Sequence, residues 1–247
     1  MTTQIVILAA GMGSRLGRSL PKPLTELADG RTIMQQQFDN IHQAFGKNAK
    51  VTVVVGYKLE HIIEAFPEAS FVYNEQYDQT NTSKSLMRAL QASVPGGVLW
   101  MNGDVVFDPE ALERAAAVVA RDQSFVSVNT AKVSDEEVKY TTDAEGYIKE
   151  LSKQVKGGLG EAVGINYISR DDKAVLLRQL RKVNDRSTFL PMNPQASCRF
   201  MKMTTPDLLL RALREGRDEV TDDPTVAERA RRSVERMIAI GAPGGGE

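Results

Sequence analysis

Short apolar runs and stretches with apolar residues at helical spacing follow one another from the start of the chain. Gln4 to Ala9 carries Ile5, Val6 and Ile7 in a continuous apolar run, which predicts a central parallel strand buried on both faces. Thr32 to Phe45 reads as a helix, with Ile33, Gln37, Ile41 and Phe45 near helical spacing. Val51 to Val55 is a second buried strand, Leu59 to Phe66 a helix ended by Pro67, and Phe71 to Tyr73 a short strand. Ser83 to Gln91 is the next helix, Val98 to Asn102 a strand closed by Gly103-Asp104, and Pro109 to Ala120 a helix with proline at its first position. Strands alternating with helices in this way imply a mostly parallel sheet covered on both faces.

From Ser124 the rhythm changes. Ser124 to Val128, Val138 to Thr142 and Tyr147 to Leu151 lie close together, and the turn Asp143 to Gly146 suggests a hairpin. Ala162 to Ile168 is a later strand and Asp171 to Lys182 a helix. Arg186 to Gln195 has two prolines and little periodicity. Asp223-Pro224 reads as cap and first position of a helix to about Ile240, with Val226, Ala230, Val234, Met237 and Ile238 on one face. These elements predict one domain over 1–220, with a front half over about 1–122 and a second half over about 123–220, then a helix and tail over 221–247.

Composition narrows the function classes. The 247 residues are 42% hydrophobic and 26% charged, ordinary for a globular protein. The net charge of −1 argues against broad binding to nucleic acid or a membrane surface. Cys198 is the single cysteine, so no intrachain disulfide forms, which suits a reducing, cytoplasmic setting. No run reaches the roughly 18–20 apolar residues of a membrane span. His42 and His61 lie in predicted helices without a clustered Cys or Asp partner, and neither reads as a zinc ligand or general base. The expected partner is a small molecule.

The chemistry concentrates in the loop GMGSRLG, directly after the first strand. A dinucleotide fold needs its helix to start inside that glycine motif. Pro21 and Pro23 fall where the helix interior would be, and each would cost about 3 kcal/mol there. What remains is an open loop from Ala10 to Leu24. Gly11 and Gly13 let backbone N–H groups approach phosphate oxygens, and Arg15 and Lys22 add two cations. The plainer reading makes Arg15 and Lys22 solvated loop charges.

LAAGMGSRLG followed by PKPL resembles the signature of nucleotidyltransferases that join an NTP to a phosphorylated small molecule. The short gap between Arg15 and Pro21 is closer to the cytidylyltransferases acting on phosphocholine, inositol phosphate and related phosphonates. VVVGYK at 53–58, YNEQYDQTNTSKSL at 73–86, NGDVVFD at 102–108, EEVKY at 136–140 and GEAVGINYIS at 160–169 agree in order, so the resemblance covers roughly residues 4 to 170. It implies a three-layer, Rossmann-like α/β fold with a mostly parallel sheet and an added β-hairpin region. It implies transfer of CMP from CTP, with Mg²⁺ as cofactor, to a small phosphorylated alcohol, and release of pyrophosphate. The enzyme alternative uses another NTP with a sugar phosphate. The alternative from another class is a non-catalytic nucleotide-binding homologue.

By the same resemblance, Lys22, Arg15 and Asp104 are the catalytic residues. Asp104 is the metal ligand; on residue type alone Gly103-Asp104 also suits an Asx turn. Leu8, Ala9, Ala10, Gly11, Gly13, Ser14, Gly56, Tyr57, Asn81, Thr82, Ser85 and Gly103 would line the nucleotide site, although Thr82 or Ser83 could equally be helix caps. Asp108 reads as the cap of the helix after it. Lys139, Lys153 and Glu161 would face the acceptor. Tyr57, Tyr73, Tyr77 and Trp100 cannot be gathered around one site from sequence, so a choline box is not implied. Beyond residue 170 the pattern departs from the family. Thr204, in FMKMTTPDLLLRAL, stands where an aspartate is expected, and DRSTFLPMNPQASC replaces the segment before it. Asp185 or Asp207 could substitute, or the metal could be held by Asp104 and the triphosphate alone. The C-terminal helix permits a homodimer.

Overall fold

The computed structural model describes residues 3–12, 20–79, 82–130, 138–185 and 201–204. In chain order the strands and α-helices are β1 (Gln4–Leu8), α1 (Ile33–Phe45), β2 (Lys50–Val55), α2 (Leu59–Ala65), β3 (Ser70–Tyr73), α3 (Thr82–Ala92), β4 (Val98–Asn102), α4 (Pro109–Val119), β5 (Phe125–Asn129), β6 (Lys139–Thr142), β7 (Ile148–Ser152), β8 (Glu161–Ile168), α5 (Arg170–Asp185) and β9 (Met201–Thr204). Each of the thirteen strands and helices read from the sequence between Gln4 and Lys182 is present, with no end moved by more than three residues. The short strand β9 is an addition. The helix read over 223–240 lies outside the described residues.

One sheet runs β3-β2-β1-β4-β8-β5-β9. β3, β2, β1 and β4 are parallel, with Ile7 registered against both Val53 and Met101. The second half changes direction: β8 runs antiparallel to both β4 and β5, and β9 runs parallel to β5. β6 and β7 form the hairpin expected at Asp143–Gly146, where the Asp143 N–H donates to Tyr147 O at 2.9 Å. Strand alternation sends Ile5 and Ile7 to one face and Val6 and Leu8 to the other. The first pair packs with Met34, Phe38 and Ile41 of α1 and Leu112 of α4. The second packs with Leu86 and Leu90 of α3 and Leu180 of α5. The result is three layers with a sheet core buried on both faces.

Helix starts follow local chemistry. Thr32 Oγ1 accepts from Gln35 N at 3.2 Å and Asp108 Oδ1 from Glu110 N at 3.1 Å, each satisfying an otherwise orphan donor. No helix of the described residues is long and apolar enough to cross a membrane.

Several buried polar atoms among the described residues lack a partner, and Tyr140 shows the consequence most plainly. Tyr140 is 0% exposed, sits among Val126, Val128 and Ile148, and its hydroxyl has no hydrogen-bond partner among the described residues. Burial pushes its phenol pKa up. A stranded hydroxyl costs more than it contributes, so Tyr140→Phe is expected to stabilise the fold by about 1 kcal/mol. The thermal midpoint should rise by about 2–4 °C. A lower midpoint in the variant would show that the hydroxyl is bonded in solution.

Candidate active site

The backbone leaving β1 is tied to both neighbouring strands. Gly103 N donates to Leu8 O at 2.9 Å, Ala9 N to Val54 O at 2.9 Å, and Tyr57 N to Ala10 O at 3.1 Å. The carboxyl ends of β1, β2 and β4 therefore meet at one edge, where ligands bind in open α/β sheets. Lys22 opens a single 3₁₀ turn, Lys22–Leu24, between Pro21 and Pro23. Pro23 is buried against Gly103: a Cβ on that glycine would lie 3.0 Å from Pro23 Cγ and 3.1 Å from Leu8 O. Pro23 thus docks the Lys22 backbone on the end of β4. Lys22 Nζ then reaches Asp104 Oδ2 at 3.2 Å, across 82 residues of chain.

This pair is exposed by 36% and 45%, so screening by water leaves it little stabilising value. Its placement says more. Both residues line a cavity of about 330 Å³, within the size range of small-ligand sites. Leu8, Ala9, Ala10 and Gly11 form its floor, and Asn74, Tyr77, Thr82 and Ser85 the opposite wall. The structure therefore brings together eight of the sequence-read residues: Leu8, Ala9, Ala10, Gly11, Lys22, Thr82, Ser85 and Asp104. Arg15, Gly13, Ser14 and Asn81 lie outside the described residues. Gly56, Tyr57 and Gly103 stand behind the cavity wall rather than on it.

Several wall residues were not singled out from sequence. Asn74 is 1% exposed; its Nδ2 donates to Ser85 Oγ at 3.0 Å, and its Oδ1 accepts from Gln76 N at 3.3 Å. Because Ser85 accepts from Asn74, its own hydroxyl hydrogen is left to donate. Tyr77 packs at a tilt on Tyr57, with ring centroids 6.4 Å apart, and Lys58 Nζ lies 5.4 Å from the Tyr57 ring centre. Asn102 sits over Gly164 of β8, whose φ is +82°; a Cβ there would lie 2.6 Å from Asn102 Nδ2. The signal for Asn74 and Tyr77 was their presence in the 73–86 motif, which spacing alone could not resolve into wall and backing.

Lys139, Lys153 and Glu161 do not line this cavity. Register places Lys139 opposite both Ser152 and Glu161, and Lys153 directly follows Ser152. Glu161 Oε1 accepts from Asn129 Nδ2 at 3.3 Å. All lie toward the same sheet edge, since Glu161 precedes Gly164 by three residues, about 10 Å of strand. Thr204 pairs with Val128 near that edge. Among the described residues no group of three or more His, Cys, Asp or Glu gathers as a metal cage.

The parallel half of the sheet thus holds, at its carboxyl edge, a small cavity lined by a lysine and a carboxylate, the arrangement of a ligand-binding α/β domain. Residues 5–167 match the MobA-like NTP transferase domain, and the chain belongs to that nucleotidyltransferase family. Similar solved structures share the fold at low identity. One reports the catalytic mechanism of the CTP:phosphocholine cytidylyltransferase from Streptococcus pneumoniae, 15% identical over 83% of this chain and 90% of that one, with a TM-score of 0.65. Another is the inositol-1-phosphate CTP transferase from T. maritima, 16% identical over 98% of both chains, with a TM-score of 0.62. HddC from Yersinia pseudotuberculosis is 16% identical over 83% of this chain and 91% of that one, with a TM-score of 0.62.

A second similarity begins before the first ends. Residues 134–239 match the quinolinate synthetase A protein. Quinolinate synthases of Mycolicibacterium paratuberculosis and Mycobacterium tuberculosis are 57% and 56% identical over 72 residues, 29% of this chain. The chain spans about a fifth (21%) of the length of those curated relatives. The stretches that depart from the nucleotidyltransferase pattern, 185–198 and 200–213, fall inside this second match. Thr204 thus stands in sequence that resembles a different family.

Proposed function

We propose that the chain transfers CMP from CTP to a small phosphorylated alcohol and releases pyrophosphate. The observation that carries this reading is the Lys22–Asp104 pair at the mouth of the cavity. Opposed charges held on docked backbone, yet contributing little to stability, suit a site that neutralises and orients phosphates. CTP is favoured because two of the similar folds are CTP-using transferases by name. The front half, 1–122, takes the nucleotide, and the second half, 123–220, the acceptor.

In this reading an acceptor phosphate oxygen bonds to the α-phosphorus while the bond to the bridging oxygen breaks, and pyrophosphate leaves with that electron pair. Such a step asks for in-line positioning and charge stabilisation rather than a protein nucleophile. Gly11, Gly13, Ser14 and Arg15 hold the triphosphate, and Lys22 stabilises charge at the α-phosphate. Ser85, oriented by Asn74, and Thr82 with Asn81 contact the nucleotide; Gly56, Tyr57 and Gly103 shape the wall from behind. Lys139, Lys153 and Glu161 face the acceptor. A single half-exposed carboxylate fits Mg²⁺, which takes one or two carboxylates and completes its shell with phosphate oxygens and water. Asp104 would hold it, and the ion would supply charge neutralisation. A reducing, cytoplasmic setting and a homodimer are compatible with this assignment.

The test is pyrophosphate release by the purified chain with Mg²⁺, crossing four NTPs with phospho-alcohols, phosphonates and sugar phosphates. Release confined to CTP and one acceptor is the expected result. A second reading has its own observation: the acceptor half lies in sequence that also matches quinolinate synthetase A. Under that reading the chain binds nucleotide without turning it over. Nucleotide binding with no release from any pair would establish it.

A further inference from the structure

Helix α1 buries two polar side chains in an otherwise apolar stripe. Gln37 is 0% exposed and Asn40 3%, beside Met34, Phe38 and Ile41. A buried amide is retained where it has partners, and these two spend their donors on one segment. Gln37 Nε2 donates to Asn102 O at 2.9 Å and to Val105 O at 2.7 Å. Asn40 Nδ2 donates to Phe107 O at 2.9 Å. The first two carbonyls bracket Asp104. The turn's own closing bond, Val105 N to Asn102 O, is long at 3.4 Å. Among the described residues Gln37 Oε1 is buried without a partner, so the hydrogen bonding of this side chain is directed at the turn. A leucine would fill the stripe without stranding an acceptor.

We propose that Gln37 is a positioning residue: by gripping both carbonyls of the Asn102–Val105 turn, it fixes the Asp104 carboxylate opposite Lys22. Its consequence for metal use rests on the nucleotidyl transfer proposed above; the mechanical role does not.

The full chain carrying Gln37→Met, without ligands, is compared with the unmodified chain by amide hydrogen exchange. Exchange at Gly103, Asp104 and Val105 is expected to accelerate about tenfold or more, confined to the turn. Asn40→Leu removes the neighbouring bond to Phe107 and should leave those three amides near their original rates. In pyrophosphate assays, the Mg²⁺ concentration for half-maximal rate should rise about tenfold in Gln37→Met, while CTP binding without metal stays unchanged. Unchanged exchange at 103–105 overturns the proposal. So does acceleration spread evenly over α1 and β4, which marks a packing role. Gln37→Leu replaces both N–H donors with an apolar side chain suited to the helix stripe, so it gives the same answer if the methionine variant does not fold. A parent chain that releases no pyrophosphate would defeat the transfer reading, and the exchange result would still decide the positioning role.

Discussion

Lys22→Ala is expected to lower the rate of pyrophosphate release by about 10²–10³-fold, the usual loss when one preorganised donor to developing charge is removed. Nucleotide binding should fall much less, because most of the cavity lining, Leu8 to Gly11 with Asn74, Tyr77 and Ser85, is untouched by the substitution. The fold should be intact. The ion pair to Asp104 is exposed on both sides, and such pairs contribute at most about 1 kcal/mol. Lys22→Arg is not a mild change either, since a planar fork replaces a point charge between two prolines. Asp104→Ala should be comparably slow, but partly recoverable by raising Mg²⁺, whereas Lys22→Ala should not recover. Single-turnover rates and equilibrium binding of CTP separate these terms. A Lys22→Ala enzyme with the parent rate would remove the lysine from the chemistry and leave it as a solvated loop charge.

The two halves of the molecule differed in how far the sequence disclosed them. β1, β2 and β4 are short apolar runs closed by polar or glycine signals, and burial on both faces of a parallel sheet needs that composition. Asp108-Pro109 and the Asp143–Gly146 turn act through neighbours in sequence, so their chemistry was readable without the fold. The insertion of β8 between β4 and β5 was not. Pairing across a sheet depends on contacts such as Trp100 with Asn166, and no local pattern encodes a partner so distant. The same holds in the site. Lys22 and Asp104 were selected through a resemblance to known motifs, and only the fold sets them 3.2 Å apart. Gln37 did leave a trace: a polar residue repeating at the apolar positions of α1. Spacing alone read it as part of the stripe, and only the two carbonyls it holds explain why it is not a leucine.

Two of the four glycines expected at the nucleotide site, Gly11 and Gly56, make a final contrast. Gly11→Ala should be silent in the fold, because a Cβ there meets nothing within 4 Å among the described residues. Gly56→Ala should not be: its Cβ would lie 2.6 Å from Tyr77 Cβ and 2.7 Å from Ala10 O. Neither neighbour is the loose end of a side chain. Ala10 O accepts from Tyr57 N at 3.1 Å, and Tyr77 carries the cavity wall, so room can be made only by parting the ends of β1 and β2 or by pushing the wall inward. Overpacking of this kind costs about 1–3 kcal/mol. A fall of about 5 °C in thermal midpoint is expected for a chain of this length. CTP affinity should drop about tenfold with it, since the atoms displaced are floor and wall of the same cavity. Melting curves and CTP titrations of the two variants side by side decide the matter. Equal midpoints would mean that the approach of Gly56 to Tyr77 is relaxed in solution, whereas a destabilised Gly56→Ala that binds CTP normally would show that the Tyr77 wall does not bear on the nucleotide.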